Sequence, residues 1–372
     1  MSAIAHLTSV HRRDDTRVLL KECRSLAAAG HDVTLIVADG RGDQQSGDVI
    51  IRDVGAPWRR AFRPVVSTWR VLRAARRLDA DIVHVHDAEL LPISWWLSVL
   101  GRRVVFDAHE DLPAQILTKP YFGPRRRRLL ARIAGWVEWL LCRRLNAVVA
   151  ATPQIAEKFR SINDRVVVVN NYPLLGELGC GEGWTSPRPS VAYLGGMSEI
   201  RGIRELIAAM ELVDPSIDLV LIGSFADHEL EAEMQGQPGW ARVQARGHLD
   251  RDGVRDALAE CFAGLVTFHP APNHVNAQPN KMFEYMAAGI AVIASDFPAW
   301  REVIVGSGAG LCVDPLDPAA IATAINSLAA DPATAETMGQ AGRQLVETTH
   351  NWANEETKLL ALYDELLADD PT

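Results

Sequence analysis

The sequence is poor in the features that would point toward several common function classes. Its five cysteines (Cys23, Cys142, Cys180, Cys261 and Cys312) are scattered over 372 residues, with no C-x-x-C pair and no Cys/His ligand spacing. That scatter argues against a zinc module and a disulfide framework, and it fits a reducing cytoplasm. No apolar run approaches the roughly 18–20 residues that a membrane-spanning helix needs. The N-terminus enters directly on the strand-like Ala3–Ser9, so no secretory leader is expected. No G-x-G-x-x-G follows the first strand, and no P-loop motif is present. The triplet Gly306-x-Gly308-x-Gly310 falls between a helical and a strand pattern and reads as a plain loop. No D-x-D metal motif is evident at a plausible strand end.

What is present is ordinary in bulk and uneven in charge. With 48% hydrophobic and 23% charged residues the chain is globular, and its length suits two domains. The net charge is −9, but residues 1–175 hold 27 Lys+Arg against 18 Asp+Glu, and residues 176–372 hold 11 against 29. A sign change at mid-chain supports a boundary there and different partners for the two halves. Nucleic acid is not an expected partner, because the whole chain is acidic and carries no binding motif.

Short apolar runs alternate with helical patterns throughout. Strands are expected at Ala3–Ser9, Val33–Ala38, Val49–Asp53, Ile82–Val85, Val104–Asp107, Ala147–Ala150 and Val166–Val169. The second half repeats the plan at Val191–Leu194, Leu219–Ile222, Val243–Ala245, Gly264–Thr267, Ala291–Ala294 and Gly310–Val313. Continuous apolar strands between helices indicate parallel sheets covered on both faces. The fold class is therefore α/β, with two doubly wound Rossmann-like domains facing a central cleft. The expected division is 1–173, a linker 174–189, 190–350, and a C-terminal helix within 351–372 that packs back on the first domain.

In open α/β sheets ligands bind beyond the carboxyl ends of the strands. Several polar segments fall there. Pro279–Gly289 reads as a loop, a short helix and a glycine stop, followed by the buried strand Ile290–Ser295 and Asp296. Glu284 on that helix can accept hydrogen bonds from vicinal ribose hydroxyls, and the first-turn N–H groups suit a diphosphate. Tyr193-Leu194-Gly195-Gly196 leads to Arg201-Gly202-Ile203. Asp81–Asp87 and Val105–Asp111 place His84, His86 and His109 at strand ends. His11–Arg17 is a charged loop after the first strand.

These segments resemble the retaining GT-B glycosyltransferases of the E-x7-E type, the family 4-like group 1 enzymes. The resemblance covers nearly the whole chain and is strongest over Pro279–Asp296. It implies a nucleotide diphosphate sugar donor, UDP- or GDP-linked, retention of anomeric configuration and no metal or other cofactor. The acceptor would be a glycan, a lipid-linked sugar or a small molecule, in polysaccharide or glycoconjugate synthesis. By the resemblance, Glu284 holds the ribose, and Arg201 with Lys281 grips the diphosphate. Gly195, Gly196, Ala277, Gln278 and Asn280 complete the donor site, and His109 and Asn276 lie by the sugar. His109, Arg201 and Lys281 are the catalytic candidates. Gly223, His248 and Leu249 frame the base. His11, Asp15 and Arg17 belong to the acceptor side, His84 is structural, and His86 is open between the two roles. Two departures stand out. Asn276 replaces the first motif Glu, and Gly196 replaces an Arg, a gap for which Lys281 is the obvious substitute. A GT-B nucleotide-sugar epimerase and a non-catalytic nucleotide-sugar binder are the alternatives.

The basic first half carries one more pattern. Arg125–Arg128 precede Leu129, Leu130, Ile133, Trp136, Val137, Leu140 and Leu141, with Arg143-Arg144 behind. Trp58, Arg59, Arg60, Arg63, Trp69, Arg70 and Arg73 form a second basic-aromatic stretch. Such helices suit an anionic membrane surface, and a core-packing helix with a basic solvated face is the equal alternative. The expected location is cytoplasmic, with peripheral attachment to the inner face of the membrane as the finer reading.

Overall fold

The computed structural model describes residues 1–56, 63–118, 123–179 and 189–369. Trp58, Arg59, Arg60 and Cys180 lie outside those residues, as does the Arg63 side chain. The chain divides into two units, 1–171 with 353–372, and 172–352.

The first unit is built on eight strands: β1 (Ala3–Leu7), β2 (Asp32–Val37), β3 (Gln44–Ser46), β4 (Val49–Asp53), β5 (Ile82–Val85), β6 (Arg103–Ala108), β7 (Ala147–Ala150) and β8 (Val166–Val168). Their order is β3-β4-β2-β1-β5-β6-β7-β8, parallel except for the β3–β4 edge pair. The central strands are buried along their whole length, as β-branched runs covered by helices on both faces should be. Their carboxyl ends carry His86, Asp87, His109 and the loop after β1.

The second unit holds six parallel strands: β9 (Ser190–Leu194), β10 (Asp218–Ile222), β11 (Val243–Gly247), β12 (Ala263–Val266), β13 (Ala291–Ser295) and β14 (Gly310–Val313). Their order, β11-β10-β9-β12-β13-β14, reverses direction between β9 and β12. Glycine permits the tight strand ends there. Gly195 and Gly223 have φ of 108° and 137°, and a Cβ on Gly223 would lie 2.2 Å from the Gly195 carbonyl oxygen.

Two differences from the sequence reading have physical causes. Leu178 is fully buried in the core of the second unit, so the described part of the expected linker packs there. Helix Pro332–Thr348 was not anticipated, because its Ala, Gly and Thr residues make no clear apolar stripe. The last helix, Trp352–Ala368, falls within 351–372 and belongs to the first unit from residue 353 onward. Its Tyr363 hydroxyl lies 2.7 Å from His84 Nδ1, and Glu355 accepts from the Asn170 backbone N–H at 2.9 Å.

Candidate active site residues

In the second unit the donor helix Asn280–Ala288 is fastened beneath the end of β9. Tyr285 is fully buried, and its hydroxyl accepts from the Leu194 backbone N–H at 2.7 Å. The helix ends at Gly289 in the left-handed region, as the glycine stop requires. Its start has no side-chain cap, so the first-turn N–H groups are free of one.

That anchoring brings Lys281 against the Gly195-Gly196 loop. Its ammonium lies 3.7 Å from the centre of the Tyr193 ring and 5.1 Å from that of Phe268. A Cβ on Gly195 would lie 3.5 Å from the Lys281 Nζ. The residue is 7% exposed, yet among the described residues Nζ has no hydrogen-bond partner. Burial, and then the neighbouring Arg201 charge, pull its pKa well below the ordinary lysine value, with Glu284 opposing. Arg201 donates to the Gly196 carbonyl at 3.1 Å, and its guanidinium carbon is 5.7 Å from the Phe268 ring centre. The two cations thus both lie by the Phe268 ring, just past the end of β12.

Glu284 is 16% exposed in its side chain and is not free. Its Oε1 accepts from Arg251 Nη1 at 2.7 Å. Arg251 was not anticipated from sequence, because its partners are remote in the chain. The loop before the donor helix is partly tied down. Trp300 Nε1 donates to the Ala277 carbonyl at 2.7 Å, and the Tyr172 hydroxyl lies 3.4 Å from Gln278 Oε1. Asn276 and Asn280 are exposed. At the ends of β10 and β11, Gly223 holds its strained turn, His248 is exposed, and Leu249 packs on the second core.

The first unit gathers a different set. Asp87 accepts from Thr8 Oγ1 at 2.9 Å and from the Ser9 backbone N–H at 2.6 Å, which shapes the loop after β1. His11 lies 3.3 Å from Asp15 and 3.4 Å from Asp87. Burial alone would lower the His11 pKa, but the Asp15 hydrogen bond and the Asp87 and Asp15 charges outweigh it and raise it. His109 Nε2 is 2.8 Å from Asp107 Oδ2, and the His11 and His109 ring centres are 4.7 Å apart. His11, Asp15 and His109 are therefore together and partly accessible.

Arg17 and His86 depart from the acceptor-side expectation. Arg17 is 2% exposed, with Nε and Nη2 forked on Asp107 at 2.9 and 2.8 Å and Nη1 on the Val169 carbonyl at 2.8 Å. His86 is 3% exposed and lies 3.2 Å from Asp107. Their polar atoms are consumed inside the domain. Behind them sit His6, His84 and Glu22, all fully buried; of these, His6 and Glu22 were not singled out from sequence. Burial, then the His86 charge, drives His6 and His84 well below the usual histidine value. Burial and the Asp107 charge push Glu22 well up, and Arg17 chiefly keeps Asp107 ionised against its burial.

Two groups come within metal-ligand reach, His6/Glu22/His84/His86 and His86/Asp107/His109. The rings of His6 and His84 lie at 19° and 23° to that of His86. His6 Nδ1 lies 2.9 Å from His86 Nε2, close enough for the two rings to share one hydrogen.

A profile for glycosyltransferase family 4 matches residues 16–172, and one for the group 1 glycosyl transferases matches residues 188–331. The chain belongs to the family 4, group 1 glycosyltransferases. Alpha-maltose-1-phosphate synthase of Mycolicibacterium smegmatis is 28% identical over 91% of this chain and 96% of its own length. Phosphatidyl-myo-inositol mannosyltransferase of Mycobacterium leprae is 26% identical over 92% of this chain and 88% of its own. The solved sucrose-phosphate synthase of Thermosynechococcus elongatus superposes with a TM-score of 0.81 at 20% identity, covering 99% of this chain and 100% of that one. The fold of this glycosyltransferase is GT-B, with two Rossmann-like α/β units, and its donor is a nucleotide sugar. Among the described residues no helix is long and apolar enough to cross a membrane.

Proposed function

We propose that the enzyme transfers a hexose with retention of configuration, and that Lys281 and Arg201 carry the departing nucleoside diphosphate. The observation behind this reading is the buried Lys281 ammonium, without a hydrogen-bond partner among the described residues, beside Arg201 and the Gly195-Gly196 turn. An unpaired buried cation costs several kcal/mol unless an anion meets it. Charge grows on the diphosphate as the bond to the anomeric carbon breaks, so two fixed cations favour the transition state over the ground state. The acceptor hydroxyl bonds the anomeric carbon on the face the diphosphate leaves, and its proton passes to a diphosphate oxygen. Glu284 holds the ribose. His109, whose Nε2 is fixed by Asp107, offers its other ring nitrogen to a sugar hydroxyl. With two protein cations on the leaving group, turnover should survive EDTA.

The test is the anomeric configuration of the product by NMR, after a thermal-shift screen of UDP, GDP and ADP sugars identifies the donor. An inverted product refutes the retaining reading. Donor turnover without an acceptor would favour the epimerase alternative instead. Glu284→Ala should weaken nucleoside diphosphate binding by roughly 2–4 kcal/mol, from two charge-assisted hydrogen bonds that are not fully additive. Titration calorimetry on the folded variant checks it.

A second observation supports a membrane-borne acceptor. Helix Pro124–Cys142 leaves Leu129 58%, Ile133 48%, Trp136 60% and Trp139 43% exposed, with Arg125–Arg128 at its start. The adjoining helix Leu91–Val99 exposes Trp96 and Val99. Exposed tryptophans ringed by arginine suit an anionic bilayer surface. Each basic residue near such a surface contributes about 1 kcal/mol, screened by salt. Sedimentation with anionic vesicles at low salt should capture the enzyme, and changing Arg125–Arg128 to Ser should release it. Equal binding to neutral vesicles would sink the idea.

A further inference from the structure

The donor carboxylate Glu284 is gripped by a side chain from another helix, and that grip has its own anchor. Arg251 opens helix Arg251–Leu258, where a cation opposes the helix dipole. Two carboxylates offset that placement. Arg251 Nε and Nη2 fork onto Glu177 Oε1 and Oε2, both at 2.8 Å, while Nη1 reaches Glu284 Oε1 at 2.7 Å. The side chains of Glu177, Arg251 and Glu284 are only 17%, 30% and 16% exposed, so water screens the triad weakly. Burial opposes the Arg251 charge, and Glu177 and Glu284 more than restore it.

Glu177 is itself held in place. Gly176 takes the left-handed conformation, the Glu177 N–H donates to the Leu174 carbonyl at 3.4 Å, and Leu178 is fully buried. Tyr172, at the start of the same segment, meets the ring of Phe283, the neighbour of Glu284, edge-on at 4.8 Å. Glu284 Oε1 is thereby fixed, and no hydrogen bond to Oε2 is seen among the described residues. A carboxylate with one oxygen clamped and the other presented can take only one orientation toward a diol. Unclamped, it would rotate about its side-chain torsions and lose that pre-organisation.

We propose that Arg251, anchored by Glu177, is the positioning residue that aims Glu284 at the ribose hydroxyls, and so makes the enzyme selective for ribonucleotide over deoxyribonucleotide donors. This rests on the reading that Glu284 holds the ribose. Arg251 touches no reacting atom; its contribution is to ground-state binding, so its loss raises KM for the donor while kcat stays close to wild type.

The test compares binding of UDP, GDP and ADP with their 2′-deoxy counterparts, using whichever base the wild-type protein binds. The wild-type enzyme should prefer the ribonucleotide by roughly tenfold or more, the worth of one charge-assisted hydrogen bond. Arg251→Met and Glu177→Gln should each bring that ratio close to one, and Arg251→Lys should restore part of it. Thermal melts confirm that each variant is folded, and Glu177→Gln keeps the shape of the site if Arg251→Met does not fold. A ratio that collapses in Glu284→Ala but persists in both Arg251→Met and Glu177→Gln overturns the positioning role alone. A ratio unchanged by Glu284→Ala overturns the ribose reading beneath it, as does binding of none of UDP, GDP and ADP.

Discussion

Each unit buries ionisable groups, and the two treat them in opposite ways. In the first, Arg17 is enclosed by Asp107, Glu22 and a backbone carbonyl, and the histidines behind it share hydrogens with one another and with Tyr363. In the second, Lys281 is nearly as buried but its Nζ faces the Tyr193 and Phe268 rings and has no hydrogen-bond partner among the described residues. A ring face returns about 2 kcal/mol to a desolvated ammonium, less than full burial costs. Closed pairing makes a polar core that completes itself. Open pairing makes a site whose electrostatics are completed by an anion from outside. Buried charge alone therefore says little about function; what matters is whether the charge has been answered.

The largest test of this contrast is Arg17→Met. It strands the ionised Asp107, and removing one partner of a buried pair costs about 3–5 kcal/mol. Urea denaturation should show that loss. Lys281→Met removes a comparable charge with the reverse outcome. Stability should hold or rise, because no partner is stranded, while kcat falls by about 10²-fold or more, as for the loss of one oxyanion-stabilising donor. If Lys281→Met unfolds the protein and Arg17→Met does not, the contrast is wrong.

The smallest effect is the pH dependence, in which the two units should act in different pH ranges. His6, His84 and His86 have lowered pKa values, so below about pH 6.5 the unfolded chain binds protons the folded chain refuses. Stability falls as pH drops through that window. Glu22, whose pKa is raised, opposes this by holding its proton only when folded. A net one to two protons gives about 1.4–2.7 kcal/mol per pH unit. Lys281, also lowered, acts at the alkaline end. Between its folded pKa and 10.5 the unfolded chain holds the extra proton, so stability rises with pH there. Lys281→Met should flatten the alkaline rise and leave the acid limb intact, as urea titrations across pH would show.

Much of this was legible in the sequence, for a physical reason. Strands such as β7 and β12 are unbroken apolar runs, and a buried parallel sheet demands that pattern locally. The closeness of Lys281 to the Gly195 turn followed from motif position. Partnership across the chain left no local trace. Arg251 meets Glu177 from 74 residues away and Glu284 from 33, and neither distance has a periodicity to betray it. Arg17 looked like a loop cation because its six-residue neighbourhood is charged. Only the sheet, which sets β6 beside β5, shows that Asp107 claims it. His6 was missed because one histidine in an apolar strand reads as core until three are stacked.

The return of the last helix has a consequence in time. Tyr363 meets His84 and Glu355 meets Asn170, yet the whole of residues 172–352 is translated between the two halves of each contact. Synthesis runs from the N-terminus, so the first unit waits for the ribosome to finish the second before its histidine stack is closed. A nascent chain halted before residue 353 would carry a complete second unit and an unfinished first one.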